Sequence, residues 1–421
     1  MDHSTLKTII YDQHDVIRNA DIVPREYILE DKGNYVLTGL RRAGKSTLLY
    51  DRARKIIDNG AEWEQIIYVN FEDDRLTGMT LEDLDDISRV QSELSDKKGY
   101  YFFDEIQNID GWERFVRRLA DRGESIQITG SNAKMLSRDI AERLGGRFIT
   151  KNVRPYNFSE YLTARGIPHS SRDIGSTKSS GKIVRAFGEY LHEGGFPGAL
   201  NFKNKREYIS GIYQNVLLND IAVRNGIRND HALRLLIKKI AETVTNEVSY
   251  SSLHGALNSV GLKVSKDTII DYIEYAGTAY LLFSVRNYFA KISEREGNPK
   301  YYFGDNGLFN LFLIDKDPKL LENLIAVELK ARYGDEVFFL KSTKTGVDAD
   351  FYIPDEGTAI QVAYSLDDSS RTREIDNLVK TATEMKNLSR CIIVTMEQEE
   401  TIEKDGVKIE VIPAYKFLLS R

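Results

Sequence analysis

One short segment constrains the fold of this chain more than any other, the run Gly39-Leu40-Arg41-Arg42-Ala43-Gly44-Lys45-Ser46. It fits the pattern G-x-x-x-x-G-K-[ST] and lies between an apolar run, Tyr35-Val36-Leu37, and a helix-forming segment that opens with Thr47. A glycine-rich turn between a strand and a helix leaves backbone N–H groups free to bind phosphate oxygens, and the positive end of the helix dipole favours the same anion. The sequence therefore predicts a strand, a phosphate-binding loop and a helix.

This loop supplies the predicted nucleotide contacts. Lys45 can reach the β- and γ-phosphates, and the hydroxyl of Ser46 can bind the Mg²⁺ that accompanies the nucleotide. The predicted cofactors are therefore ATP and Mg²⁺. The residues expected to hold the nucleotide are Gly39, Arg41, Arg42, Ala43, Gly44, Lys45, Ser46 and Thr47.

A second segment, Gly99-Tyr100-Tyr101-Phe102-Phe103-Asp104-Glu105, has the pattern of a buried strand that ends in two carboxylates. In a P-loop fold, the Asp at the carboxyl end of a neighbouring parallel strand holds Mg²⁺, and Asp104 is assigned that role. Glu105 is then placed to polarise the attacking water. The alternative is an ordinary solvated Asp-Glu loop, which the four preceding aromatic residues disfavour.

Two further apolar runs indicate additional strands. The run Ile66–Phe71 lies between the phosphate loop and Asp104 in the sequence, and we expect it to separate the two motif strands in the sheet. The run Ser125–Thr129 ends at Gly130, and Ser131 and Asn132 follow. This organisation resembles the additional-strand ATPases, in which a polar residue at this place senses the γ-phosphate. The alternative for Ser131 and Asn132 is a plain turn.

Length and composition agree with a large ATPase. A chain of 421 residues suggests about three domains. A formal net charge of −6 argues against a surface covered in basic residues, although a local basic face remains compatible with it. The single cysteine, Cys391, cannot form an internal disulfide and lies in an apolar run, which indicates a reducing compartment. Neither a secretion signal nor an apolar run of about 18 residues is present in the sequence, so we expect a cytoplasmic protein.

Changes of pattern along the chain predict four domains. An ATPase core is expected over residues 1–155, a helical lid or connector over 156–229, a winged helix over 230–295 and a nuclease-like domain over 296–421. Within the connector, the polar stretch from His169 to Gly181 is expected to be a loop.

The predicted winged helix consists of three short helices followed by apolar strand material. In such domains the N-terminal residues of the third helix enter the major groove of DNA. The residues expected at or near DNA are Lys263, Ser265, Lys266 and Thr268. Acidic residues on the same helix leave a protein-docking module as the alternative, namely Asp267, Asp271 and Glu274.

Short motifs beyond the phosphate loop extend over nearly the whole chain. They are Asp104-Glu105-Ile106-Gln107, Thr129-Gly130-Ser131, Leu144-Gly145-Gly146-Arg147, Glu193-Gly194-Gly195-Phe196-Pro197, Asp220-Ile221 with Arg224, Asp305-Asn306-Gly307-Leu308, Glu322-Asn323 and Glu328. Together they resemble the bacterial and archaeal AAA-type ATPases that carry a C-terminal domain of unknown function, DUF4143. The resemblance implies that Arg147 stabilises charge at the γ-phosphate, in its own subunit or in a neighbour's. Arg138 and Arg143 are alternatives, and a solvated helix face is the simpler reading of each.

The C-terminal part resembles restriction-endonuclease-like nucleases. Their metal-binding framework is a helix glutamate, a strand aspartate and a following carboxylate-x-lysine, for which Glu328 and Asp350 supply the first two. The third element here is Gln361-Val362-Ala363, so an amide replaces the acid and the lysine is missing, and Lys341 is not obviously placed to substitute. We therefore expect a nuclease fold without nuclease activity.

The predicted fold class is α/β, with an additional-strand P-loop ATPase core followed by a winged helix and a restriction-endonuclease-like α/β domain. The expected function is binding and hydrolysis of Mg-ATP coupled to rearrangement of the C-terminal half, acting with DNA. The alternative is a slow ATP-controlled switch or scaffold that binds a partner protein without DNA. A homo-oligomer is compatible with either function.

Overall fold

A computed structural model describes residues 2–131, 138–291, 295, 297–312 and 317–420. The chain forms two compact units. The first contains residues up to 155 together with Thr278–Tyr280, and the second contains Tyr156–Gly277 and the residues from Leu281 onward. No helix within the described ranges is long and apolar enough to cross a membrane.

Helices and parallel strands alternate in the first unit. The elements are α1 (His3–Asn19), β1 (Asn34–Thr38), α2 (Lys45–Asp58), β2 (Ile66–Asn70), α3 (Leu84–Leu94), β3 (Tyr100–Asp104), α4 (Trp112–Asp121), β4 (Ser125–Gly130), α5 (Arg138–Leu144) and β5 (Phe148–Asn152). Among the described residues the five strands form one sheet in the order β2-β3-β4-β1-β5, and each neighbouring pair is parallel. Their carboxyl ends therefore lie along one edge.

The strand that separates the two motif strands is β4, and the expectation that Ile66–Phe71 would separate them is wrong. The run forms β2, which lies outside β3 at the edge of the sheet. Parallel strands are joined by crossover connections, so the order of strands along the chain does not fix their order in the sheet. The additional strand expected from the resemblance is present, but it is Ser125–Gly130.

Both faces of this sheet are covered. Side chains of α1, α3 and α4 pack on one face around Phe103 and Ile128, and α2 packs on the other face around Leu37 and Phe102. Burial on both faces explains why the strands are continuous apolar runs, because strands with one solvated face would alternate in polarity.

The second unit begins with helices. These are α6 (Phe158–Ala164), α7 (Ser171–Gly175), α8 (Thr177–Glu193), α9 (Lys205–Asn215), which continues as a π-helix over Val216–Val223, α10 (Asp230–Thr243), α11 (Tyr250–Ser259) and α12 (Lys266–Thr278). The loop predicted from His169 to Gly181 is wrong, because α7 and the start of α8 fall within it. Ser170 caps α7 by accepting a hydrogen bond from the N–H of Asp173, whose side chain accepts one from the N–H of Ser170.

The remaining elements build a large mixed sheet. They are β6 (Leu282–Asn287), β7 (Lys300–Phe303), α13 (Asn306–Phe309), α14 (Asp317–Tyr333), β8 (Phe338–Ser342), β9 (Val347–Ile353), β10 (Thr358–Val362), α15 (Asp368–Glu384), β11 (Arg390–Thr395), β12 (Glu400–Lys404), β13 (Val407–Pro413) and α16 (Ala414–Leu419). As far as the structure describes the chain, the sheet has the order β12-β13-β11-β10-β9-β8-β6-β7. Strands β8, β9 and β10 are an antiparallel meander, and β11 is parallel to β10.

Cys391 is buried in this sheet beneath α15, as its apolar surroundings in the sequence indicate. Burial raises the pKa of its thiol to about 11. The thiol is therefore protonated at neutral pH and unreactive.

Asp305 joins two glycine-containing turns of the second unit. Its carboxylate accepts hydrogen bonds from the N–H groups of Gly195 at 2.8 Å and Gly307 at 2.7 Å. A Cβ atom on Gly194 would lie 2.1 Å from Oδ1 of Asp305, so no larger residue fits there. Burial raises the pKa of Asp305 to about 6 from an ordinary value of 3.8, although its N–H partners favour the ionised form. These motif residues therefore form a structural clamp.

Candidate nucleotide-binding site

The predicted nucleotide residues come together at the carboxyl edge of the first sheet. The phosphate loop begins at Gly39 directly after β1, Asp104 ends β3, and Ser131 directly follows β4. Thr38 is aligned with Gly130 across the β1–β4 pair, and Phe103 is aligned with Ile128 across the β3–β4 pair. The three motifs therefore lie side by side in space although they are far apart in the sequence.

Two glycines of the loop have backbone angles or surroundings that other residues tolerate poorly. Gly39 has a φ of 142°, and a Cβ atom there would lie 2.0 Å from the carbonyl oxygen of Val153. Gly44 has a φ of 99° and forms the N-cap of α2. Because no side chain caps this helix, its first N–H groups remain available to a phosphate.

Lys45 lies against the loop from which it starts. Its ammonium group donates hydrogen bonds to the carbonyl oxygens of Gly39 at 3.0 Å and Leu40 at 3.2 Å, and the side chain is buried. The two arginine side chains of the loop are more accessible than Lys45. A nitrogen of Arg41 lies 3.6 Å from a carboxylate oxygen of Glu72, Arg42 is exposed with a φ of 64°, and Ala43 is buried. Ser46 and Thr47 are half-buried at the start of α2.

Hydroxyl groups surround the buried carboxylate of Asp104. Tyr68 donates a hydrogen bond to Oδ2 at 2.8 Å, Thr129 donates to Oδ1, and the hydroxyl of Ser46 is a third partner. Burial raises the pKa of Asp104, the neighbouring Glu105 carboxylate raises it further, and the hydroxyl partners oppose both effects. A nearby cation would favour the ionised form.

The pair Ser46 and Asp104 fits a magnesium ion chemically, because hydroxyl and carboxylate oxygens are the hard ligands that this ion prefers. No group of three or more His, Cys, Asp and Glu side chains able to hold a metal occurs in the described ranges. In nucleotide sites Mg²⁺ is usually bound by one or two protein ligands together with phosphates and water.

Glu105 and Ser131 are in direct contact. The hydroxyl of Ser131 donates to Oε2 of Glu105 at 3.1 Å, and the amide of Gln107 donates to the same oxygen. The backbone of Glu105 is left-handed, with a φ of 54°, and its N–H donates to Oγ1 of Thr129 at 3.0 Å. The carboxylate proposed to polarise water is therefore oriented by its neighbours. Asn132 lies outside the described residues.

Arg147 is not brought to this edge. It directly precedes β5, whose first residue Phe148 is aligned with Asn34 at the start of β1. At about 3.3 Å per residue, the length of β1 puts roughly 16 Å between Arg147 and the phosphate loop. Its guanidinium pairs with Asp121 at 2.5 Å. Arg143 pairs with Glu113, and the side chain of Arg138 lies outside the described residues.

Two residues at the site carry no motif signal. Arg25 donates to the carbonyl oxygens of Ala43 at 3.0 Å and Arg154 at 2.7 Å, which ties the phosphate loop to the chain after β5. Tyr68 supports Asp104. Neither belongs to a recognisable pattern, but the position of Tyr68 within an apolar strand next to β3 could have drawn attention to its hydroxyl group.

In the second unit, the residues predicted near DNA lie around the start of α12. Lys263 is exposed, and Lys266 donates to the hydroxyl of Ser251 at 3.1 Å. The hydroxyl of Ser265 accepts the N–H of Thr268 at 3.0 Å and also contacts its hydroxyl group, so Ser265 caps the helix. The acidic residues of the same helix are exposed as well, namely Asp267, Asp271 and Glu274.

The predicted nuclease-like residues only partly come together. Asp350 lies beside Gln361, whose Oε1 accepts the N–H of Asp350 at 3.0 Å. Glu328 is not their neighbour, because it pairs with Arg332 at 2.7 Å, and the helix glutamate that reaches the centre is Glu322. The two glutamates are six residues apart on α14, so they project in different directions from the helix. Lys341 pairs with Glu247 at 2.8 Å.

Sequence comparisons agree with the fold and the loop. Residues 31–162 match an AAA domain, and residues 184–319 match a domain of unknown function, DUF8612. Fold and site thus define an AAA-type P-loop ATPase domain at the start of this chain. The match in the C-terminal part is to DUF8612, so the expected DUF4143 domain is not confirmed.

Relatives match nearly the whole chain. The uncharacterized protein MJ1544 of Methanocaldococcus jannaschii is 30% identical over 430 residues, which cover 98% of this chain and 94% of that protein. An uncharacterized protein of Haemophilus influenzae is 31% identical over 393 residues, covering 91% of this chain and 94% of the relative. This chain belongs to the same protein family as MJ1544. The solved Walker-type ATPase PABY2304 of Pyrococcus abyssi is 15% identical with a TM-score of 0.45, covering 71% of this chain and all of that one.

Proposed function

We propose that this protein binds Mg-ATP and hydrolyses it. The phosphate loop holds the triphosphate through its N–H groups and Lys45, while Ser46 and Asp104 hold Mg²⁺. Glu105 polarises the attacking water, and Ser131 orients Glu105 at the γ-phosphate. Magnesium would supply charge neutralisation of the phosphates.

The observation that carries this proposal is the convergence at one sheet edge. A buried lysine on the loop, a hydroxyl–carboxylate pair and a second carboxylate held by a serine hydroxyl come from β1, β3 and β4. A glycine turn with only a structural role would not require carboxylates at the end of β3 and a serine hydroxyl at the end of β4.

Nucleotide binding tests the first half of the proposal. We expect Lys45→Ala to abolish ATP binding in calorimetry. Ser46→Ala and Asp104→Asn should instead weaken binding in the presence of Mg²⁺ and leave binding in EDTA unchanged. Glu82→Gln, which alters an exposed carboxylate of the same unit, is the matched control. Equal Mg²⁺ dependence in Asp104→Asn and the wild type would contradict the assigned metal ligands.

We further propose that Arg147 acts on a neighbouring copy of the chain. Its distance from its own phosphate loop supports action in trans, in a homo-oligomer. Mixing Arg147→Ala, which keeps its loop, with Lys45→Ala, which keeps its arginine, should then restore hydrolysis above the sum of the separate variants. A mixture whose ATPase activity does not exceed that sum would contradict the proposed action of Arg147 on a neighbouring subunit.

We propose that hydrolysis changes the arrangement of the C-terminal half and that this half acts with DNA. The exposed Lys263 and Lys266 at the start of α12 support DNA contact. Duplex DNA should then stimulate ATP turnover, and the stimulation should fade as salt rises, since phosphate contacts release counterions. Lys263→Ala with Lys266→Ala should weaken the stimulation, whereas Lys238→Ala on α10 is the control.

The second candidate function is a switch that binds a partner protein. The exposed Asp267, Asp271 and Glu274 on α12 favour it, because they would repel DNA phosphates. ATP-dependent assembly with no measurable DNA affinity would support the switch and exclude the DNA-coupled function.

A further inference from the structure

A buried lysine lies between two carboxylates in the second unit. Lys300, at the start of β7, is 5% exposed, and it meets Glu322 of α14 and Asp350 of β9. Its ammonium nitrogen lies 3.3 Å from Oδ1 of Asp350 and 3.6 Å from Oε1 of Glu322. A buried cation of this kind is stable only when it is paired.

The surrounding groups complete a closed network. Tyr302 donates to Oε1 of Glu322 at 2.7 Å, and the N–H of Val362 donates to Oδ2 of Asp350 at 3.0 Å. Burial and the charge of Asp350 raise the pKa of Glu322 to about 8, while Lys300 opposes that rise. The ammonium group of Lys300 thus meets Glu322 and Asp350 directly, and Asp348 also acts on it electrostatically.

The amide that replaces the expected third acid is also engaged. Oε1 of Gln361 accepts the N–H of Asp350, and its Nε2 donates to Glu374 at 2.7 Å. Arg373 pairs with the other oxygen of Glu374. Both oxygens of Asp350, Oε1 of Glu322 and Oε1 of Gln361 are thus already bonded to N–H, O–H or ammonium donors. These residues do not fit a divalent cation.

We propose that the ammonium group of Lys300 takes the place of the divalent cation between Glu322 and Asp350, so that this centre is a metal-free ion-paired joint which holds β7 to β9 and α14. This inference is independent of the ATPase function.

Cation binding tests the proposal in the full-length protein. Mn²⁺ is added as the probe to a Ser46→Ala background, which removes the assigned metal ligand of the phosphate loop, and bound Mn²⁺ is counted by electron paramagnetic resonance. We expect the Ser46→Ala protein and the Ser46→Ala, Asp350→Asn double variant, both of which keep Lys300, to bind the same amount of Mn²⁺. A bound ion that is lost on Asp350→Asn would overturn the proposal.

Removal of the amine provides the complementary test. Lys300→Met should lower Tm because two buried carboxyl groups lose their cation, and Mn²⁺ should raise that Tm again and add one bound ion per chain. The double variant Lys300→Met with Asp350→Asn should gain neither. Lys341→Met, which removes an accessible lysine on β8, is the control and should gain no ion. A folded Lys300→Met chain without Mn²⁺ affinity would contradict the exclusion of metal by Lys300.

If Lys300→Met does not fold, Lys300→Gln, which keeps a polar group of similar length, is the second variant. The Mn²⁺ count with and without Asp350→Asn, in which Lys300 is unchanged, tests the proposal in either case. Metal-dependent nicking of supercoiled DNA by the wild type that disappears on Asp350→Ala would also overturn the proposal.

Discussion

The phenol oxygen of Tyr68 lies 2.8 Å from Oδ2 of Asp104, while the hydroxyl of Thr129 bonds to Oδ1. Strands β2 and β4 flank β3, so the carboxylate is held from both sides by hydroxyl groups of its neighbouring strands. The two contacts fix the plane of the carboxylate before a metal ion reaches it. Asp104 is thus positioned by residues outside the motif that identifies it.

Tyr68→Phe should weaken Mg²⁺ binding in the presence of ATP. Loss of a partner that orients a metal ligand typically reduces metal affinity by about 10- to 100-fold. The measurement is the Mg²⁺ concentration that gives half-maximal ATP turnover. Tyr101→Phe is the control, because that phenol is also buried but packs on the opposite face of the sheet from Tyr68. An unchanged Mg²⁺ requirement in Tyr68→Phe would show that Tyr68 does not position Asp104.

Ser131→Ala should slow hydrolysis and leave ATP affinity unchanged. A hydrogen bond to a charged group contributes about 1.5–3 kcal/mol, which corresponds to roughly 10- to 100-fold in rate if the bond matters mainly in the transition state. Single-turnover rates and a binding isotherm separate the two effects. Ser125→Ala, at the other end of β4, serves as the matched variant. A loss of ATP binding without a change in single-turnover rate would assign Ser131 to ground-state binding instead.

Gly39→Ala should destroy the phosphate loop. The added methyl group would lie 2.0 Å from the carbonyl oxygen of Val153, so the loop or β5 must move. Gly60→Ala is a suitable control because Gly60 also has a positive φ, 100°, but has nothing within 4 Å of the added atom. We expect Gly39→Ala to abolish ATP binding and Gly60→Ala to cost only about 1–2 kcal/mol of stability. Normal ATP binding by Gly39→Ala would refute the described loop geometry.

The stability of the second unit should depend on pH through Asp305. Its pKa is about 6 when folded against 3.8 for an unperturbed carboxyl group, so it favours the folded state below pH 4. That contribution, about 3 kcal/mol, is lost as pH rises through 6. Urea unfolding of the wild type and Asp305→Asn across pH 4–7 measures the difference. The difference in unfolding free energy between the two proteins should change by about 3 kcal/mol between pH 4 and pH 7. A difference that stays constant with pH would mean that the pKa of Asp305 is not raised.

Sequence patterns predicted which residues gather at the carboxyl edge of the first sheet better than they predicted the order of its strands. The phosphate loop and Asp104 are local patterns, and each requires only a strand followed by a turn. The side-by-side order of strands is not a local property, so the sequence does not reveal that Ile66–Phe71 lies outside β3 instead of between the two motif strands. For the same reason Lys300 could not be paired with Glu322 and Asp350, because the three residues come from separate elements whose contact depends on tertiary packing. The stretch after His169 has the polarity of a loop, which conceals the capped helix that it forms.

The most direct test of the central claim is the steady-state rate of Mg-dependent ATP hydrolysis by the wild type and by Glu105→Gln, with ATP affinity measured on the same samples. We predict turnover by the wild type and none above the protein-free rate by Glu105→Gln, with both proteins binding ATP equally. Equal turnover by the two proteins would contradict the assignment of Glu105 and, with it, the proposed hydrolytic site.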